Sequence, residues 1–173
     1  MSRAVRGAWA GWSLVELVVV IVAISLLALI LLDRLVFYQE IAEKVAMEQT
    51  VQSMRSGLQM NIAALLLAGK YDEIERLAER NPVSFLEQPP AGYVGEVTDA
   101  RLAESLAGPI WYFDVARREI VYVLVREQHF RPGPDLQKRA RFRLVVRLSG
   151  AGGGRGLDAA TLVNANGFSW KVR

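Results

Sequence analysis

The stretch from Leu14 to Leu32, LVELVVVIVAISLLALILL, contains nineteen residues and one charge, Glu16. At about 1.5 Å of rise per residue, a helix of that length matches the roughly 30 Å hydrocarbon core of a bilayer. A helix that is apolar on every side has no polar face to offer water, so it needs lipid or protein around it. Arg3 and Arg6 precede the run and no acid does, which predicts a cytoplasmic N-terminus, with everything after Leu32 facing the periplasm or exterior. An ordinary secretory signal would require small residues at a cleavage site after the run. Leu29-Ile30-Leu31-Leu32-Asp33-Arg34 follows instead, so an uncleaved anchor is the stronger ordinary alternative.

The helical pattern continues past Leu32. Asp33 to Ala68 contains no proline and one glycine, Gly57. Apolar residues become periodic there, through Ile41, Val45, Val51, Met54, Leu58, Ile62 and Leu65, mostly at steps of three and four. Glu40 and Lys44 read as an i,i+4 pair in the favourable orientation. One helix is predicted from about Trp12 to Ala68, about 85 Å long, with Gly69 as its C-terminal cap. A shorter helix is predicted over Tyr71–Arg80, a loop over Glu87–Gly95, and a helical turn around Asp99–Leu106.

Strands come last. Ile110–Asp114 and Glu119–Val125 flank a hairpin-sized gap, and Arg141–Leu148 is a third candidate. Thr161–Val163 and Phe168–Val172 surround Asn166-Gly167, a pair that favours a tight turn. The expected fold is therefore α+β: a long N-terminal helix, transmembrane in its first half, packed on a small antiparallel sheet of about four strands. Three segments follow: residues 1–11 as a leader, 12–34 as a transmembrane and assembly helix, and 35–173 as a periplasmic head that includes the helix's second half.

The chain has 21 Lys+Arg and 18 Asp+Glu, and without residues 1–11 the net charge falls to +1. The basic balance thus says little about an acidic partner. Arg126 to Arg155 is rich in arginine, but Arg139, Arg141 and Arg143 alternate with Ala140, Phe142 and Leu144, the pattern of a strand's solvated face. Nucleic acid is a disfavoured partner. Trp111, Tyr112 and Phe113 read as head core. Cysteine is absent and His129 is the only histidine, so neither a disulfide framework nor a usual zinc set is available. The glycine-rich run Gly150–Gly156 lacks a following Lys-Ser/Thr and is not a phosphate loop. No catalytic constellation and no cofactor is expected.

Gly11-Trp12-Ser13-Leu14-Val15-Glu16-Leu17, ahead of the apolar run, resembles the type IV prepilin signature of glycine, aromatic, Ser/Thr-Leu-hydrophobic, glutamate and hydrophobic helix. The resemblance covers about the first 25 residues. It implies cleavage after Gly11 by prepilin peptidase, N-methylation of Trp12, and polymerisation with other pilin or pseudopilin subunits at an inner-membrane assembly platform. It also implies that Glu16 meets the new amine of a neighbouring Trp12. A carboxylate at bilayer depth costs about 2.5–3.5 kcal/mol at the centre and less near the edge, so such a residue usually has a partner. Asp33 stands seventeen residues after Glu16, where major subunits usually carry proline. After Glu127 only Asp135 and Asp158 remain as acids, too few for the calcium site of major pseudopilins. Both departures point to a minor subunit, and retention of Glu16 argues against the large tip pseudopilin. The alternatives are a major filament-forming pilin and a single-pass anchored periplasmic module that does not polymerise.

Overall fold

The computed structural model describes residues 13–99, 102, 105, 107–149 and 156–172, without the side chains of 33, 148, 149 and 156. The chain divides into two compact units, residues 1–39 and 40–173. The first helix, α1 (Leu14–Leu67), runs through both. Ser13 starts it: the Glu16 backbone N–H donates to Ser13 Oγ at 3.2 Å, and Leu17 N–H donates to the Ser13 carbonyl at 3.1 Å. That side-chain oxygen satisfies one of the orphan donors of the first turn.

In the second unit α1 buries a narrow stripe, Met47, Val51, Met54, Leu58 and Ile62, with Leu65 half-buried. The stripe is shifted from the expected one: Val45 is 43% exposed, and the step from Met47 runs back to Glu40 instead. Gly57 sits on the same stretch because a Cβ there would lie 2.2 Å from the Phe85 carbonyl oxygen, so only glycine admits that backbone. The helix ends as expected at Gly69, whose φ is +69°. Gly69 N–H donates to the Leu66 carbonyl at 3.0 Å and Lys70 N–H to Leu65 at 2.9 Å, the paired bonds of a Schellman cap. The predicted second helix is α2 (Tyr71–Arg76), which tightens into a 3₁₀ turn at Leu77–Glu79.

The α+β expectation holds, with a long N-terminal helix and a sheet in a layout consistent with a pilin-like one. The sheet differs in detail. It has five strands, β1 (Tyr93–Val97), β2 (Ile110–Asp114), β3 (Glu119–Val123), β5 (Arg139–Ser149) and β6 (Gly156–Asn164), in the order β1-β2-β3-β5-β6. It is mixed rather than antiparallel, since β1 pairs with β2 in parallel. The segment expected as a loop over Glu87–Gly95 thus yields an edge strand. Gly95, at φ +104°, lies where the register shifts between Tyr93 and Glu96, so the strand carries its own irregularity. Asn81 fixes it: its Oδ1 accepts from Val83 N–H at 3.1 Å while its Nδ2 donates to Tyr93 Oη at 2.7 Å and Glu96 Oε1 at 3.0 Å.

The β2–β3 hairpin forms as expected, with Trp111 opposite Tyr122. The Asp114 carboxylate accepts from Arg117 N–H at 2.9 Å within the turn. The expected pairing of the last two strands does not occur. β7 (Ser169–Trp170) leaves β6 and pairs with β4 (Phe130–Arg131) in a separate two-stranded sheet. Asn164 takes up the turn by accepting from Gly167 N–H and donating to the Phe168 carbonyl. Most of the turn expected at Asp99–Leu106, and the glycine-rich run up to 155, lie outside the described residues.

One apolar cluster joins the α1 stripe, α2 and one sheet face through Trp111, Phe113, Ile120, Tyr122, Phe142, Leu144 and Leu162. A smaller one, Val97, Tyr112, Val121 and Val123, lies on the opposite face. Burial of both faces explains why β2 and β3 read as near-continuous apolar runs rather than alternating ones.

Candidate functional site

Two groups of residues on α1 stand out chemically, one in each unit. In the first, the apolar residues from Leu14 to Leu32 are exposed, Val20 excepted. No residue of the most apolar window is buried, and the helix is long and apolar enough to cross a membrane. Glu16 is exposed within this surface and belongs to the first helical turn. There the helix dipole favours a negative charge whatever else surrounds it. Among the described residues none donates to its carboxylate. Gly11 and Trp12, the expected cleavage and methylation positions, lie outside the described residues.

The second group lies in the 40–173 unit, and reading the sequence missed it. Glu40 is 1% exposed. Its Oε1 accepts from His129 N–H at 2.8 Å and from Trp170 Nε1–H at 2.9 Å, and its Oε2 lies 2.7 Å from His129 Nδ1. Burial alone would push this carboxyl up. The His129 side-chain and backbone bonds and the Trp170 bond together outweigh it and hold the group below the usual carboxylate range. Glu43, one turn on, accepts from Val125 N–H at 2.8 Å, Arg126 N–H at 2.9 Å and Tyr122 Oη–H at 3.2 Å. Burial and that carboxylate both raise the Tyr122 hydroxyl's pKa.

These two carboxylates clamp the chain that leaves β3, together with β7, onto α1. A two-stranded ribbon such as β4–β7 is marginal by itself, and the clamp supplies side-chain anchors at both of its strands. The expected Glu40–Lys44 pair is therefore corrected. Glu40 points into the interior, and Lys44 lies 3.7 Å from Glu48 instead. The legible signal was register. Stepping back seven from Met47, with Val51, Met54 and Leu58 beyond it, lands on Glu40, a carboxylate at a core position that demands buried donors.

The solvated face expected for the β5 arginines holds at Arg143, whose side chain is 54% exposed, and fails at Arg141. Arg139 donates to Tyr112 Oη at 2.8 Å and lies over that ring. Arg141 is 9% exposed, bonded to Gln137 and 3.4 Å from Asp135. Arg143 meets Glu119 at 2.5 Å. The alternation was read correctly as one face, but that face is covered at Arg141, and the side chains serve internal partners. Trp111, Tyr112 and Phe113 are core residues, as expected.

Among the described residues no group of three or more His, Cys, Asp or Glu could hold a metal ion. No protein-family model, curated protein or solved structure matches this chain.

Proposed function

We propose that the chain is a minor pilin or pseudopilin, a structural rather than catalytic subunit of a type IV pilus or of a type II secretion pseudopilus. One observation supports this above the others. The prepilin-like sequence around Glu16 opens a helix whose first nineteen residues carry one charge, Glu16, and are largely exposed, and the same helix continues into an α+β head. In this reading residues 1–11 are removed by prepilin peptidase on the cytoplasmic face and Trp12 is N-methylated. The subunit waits in the inner membrane with its head in the periplasm. It is then extracted into the filament as its apolar helix exchanges lipid for neighbouring subunits. Glu16 pairs with the Trp12 amine of an adjacent copy, and each charge offsets the desolvation of the other.

The Ser13 cap favours a second reading, a single-pass anchor. A serine that caps and a glutamate in the first turn are accounted for by helix initiation alone. N-terminal sequencing of the membrane-extracted protein separates the two. A methylated Trp12 at the mature end is the expected result, and Gly11→Leu should leave a full-length precursor. An intact N-terminus in the wild type, with a membrane-resident monomer, overturns the pilin reading.

A further inference from the structure

Among the described residues β4 and β7 pair with each other and with no strand of the five-stranded sheet. Two residues per strand give such a ribbon little stability of its own. Its polar anchors lie on α1. Glu40 accepts from the His129 backbone, from His129 Nδ1 and from Trp170 Nε1, and Glu43 holds Val125 and Arg126 where the chain leaves β3. Further attachments are an exposed ion pair between Glu127 and Lys138 and the ring of Phe130, packed on Phe168 and Trp170, with Phe168 against Phe142.

Glu40 is the anchor most sensitive to a proton, because donors already engage both of its oxygens. Oε1 meets two N–H groups. Nδ1 carries its proton toward Oε2, since two acceptors would not approach to 2.7 Å. A proton added to either oxygen therefore points at an existing donor. At 1% exposure the carboxyl has no water-facing side on which to place it. Of the titratable groups, His129 is the one whose charge acts on Glu40. Along α1, Glu43 bonds to Val125, Arg126 and Tyr122, and Lys44 lies 3.7 Å from Glu48. From β7, Trp170 presents an indole, which does not titrate.

We propose that residues 125–131 and β7 form a strap that is released when Glu40 takes up a proton, while the five-stranded sheet stays folded. Release starts at His129 and Trp170 and hinges at Val125 and Arg126, which Glu43 holds independently of Glu40. It uncovers Met47, Val51 and Phe142, which with Phe168 and Trp170 line a groove of about 540 Å³ beside α1. The hydrogen bonds hold the Glu40 carboxyl below its ordinary value of 4.5. The strap is therefore closed above that value and opens as pH falls through the lowered folded one. The head thus carries an apolar surface that acid exposes. The inference does not depend on the proposed function.

Amide hydrogen exchange, followed by NMR on the full chain in detergent from pH 7 to pH 3, tests this. Protection factors are compared, which removes the intrinsic pH dependence of exchange. Protection at His129 and Phe130 should fall at least tenfold in one step below about pH 4.5, while that at Ile120 and Phe142, on inner strands of the sheet, stays unchanged. Glu40→Gln cannot take up the proton and should show weak protection at His129 already at pH 7, with no step. Glu43→Gln should lower protection at Val125 and Arg126 and keep the step at His129. The proposal is overturned if His129 stays protected down to pH 3, if Ile120 and Phe142 lose protection at the same pH as His129, or if the step persists in Glu40→Gln. The first two outcomes are read from the wild type, independently of whether Glu40→Gln folds.

Discussion

Between Leu14 and Leu32, α1 presents apolar side chains on all sides, with Leu29 and Leu31 about two-thirds exposed. Between Met47 and Ile62 it buries one stripe, in which Met54 and Leu58 have no exposure at all. The residue types are similar, and the difference lies in their periodicity. Continuous apolar sequence leaves no side for water and calls for a surrounding apolar medium. A period near 3.6 commits one side to a core and leaves the other for solvent. The two carboxylates set within these regions differ in the same way. Glu16 is exposed, with no donor to its carboxylate among the described residues, whereas Glu40 is enclosed and its donors come from within.

Stability of the head should separate the two regions most sharply at Leu58. Leu58→Ala leaves a cavity in a filled core and should cost about 2–5 kcal/mol. Leu26→Ala, on the exposed apolar surface, should change head stability by less than about 0.5 kcal/mol. Urea unfolding of the detergent-solubilised chain measures both, and comparable losses would mean that the two halves of α1 do not differ in the way their burial indicates.

A smaller loss, with a pH signature, is expected at Glu40. Glu40→Gln should cost about 1–3 kcal/mol by leaving buried donors poorly matched. The folded carboxyl titrates below its ordinary value of 4.5, so between those two values the unfolded chain binds more protons. Its contribution is therefore complete above 4.5 and is lost as pH falls through the lowered folded value. Unfolding curves from pH 7 to pH 3 should show a shallower acid slope in Glu40→Gln than in wild type. An unchanged slope would remove Glu40 as an anchor of the clamp.

Head stability should be least affected at Glu16, where the interest lies in assembly. Glu16→Ala removes a charge from the apolar run, so insertion should become easier. The head, which is distant in sequence and shares no partner with Glu16, should unfold as in wild type. Under the proposed function, cysteine crosslinking between neighbouring helices should fall markedly while the variant stays processed and membrane-resident. Wild-type crosslinking would leave Glu16 as a residue of helix initiation only.

Local chemistry accounts for what could be read in advance. Helix α1 and its Gly69 cap, α2, and the β2–β3 hairpin each follow from residues adjacent in sequence. The hydrophobic run, the glycine with positive φ and the short gap at Val115–Arg118 are all signals of that range. β1 escaped because Pro89, Pro90 and Gly95 carry loop signals, and its partner, β2, lies more than a dozen residues downstream. Of the candidate site, the apolar run and Glu16 were legible, but the Glu40–Glu43 clamp was not. His129 and Trp170 lie 89 and 130 residues from Glu40, and no local pattern links them.

That α1 is one uninterrupted helix with a bilayer-length apolar beginning is written in its residues, because nothing in Leu14–Leu67 breaks a helix and composition alone sets the medium each part requires. That β1 runs parallel to β2, that β7 leaves β6 for β4, and that Glu40 faces inward rather than toward Lys44 follow from long-range packing. Each of these depends on pairing a donor with an acceptor far away in the chain. A buried carboxylate is stable only where its donors have already been assembled around it, and that assembly is a property of the folded chain.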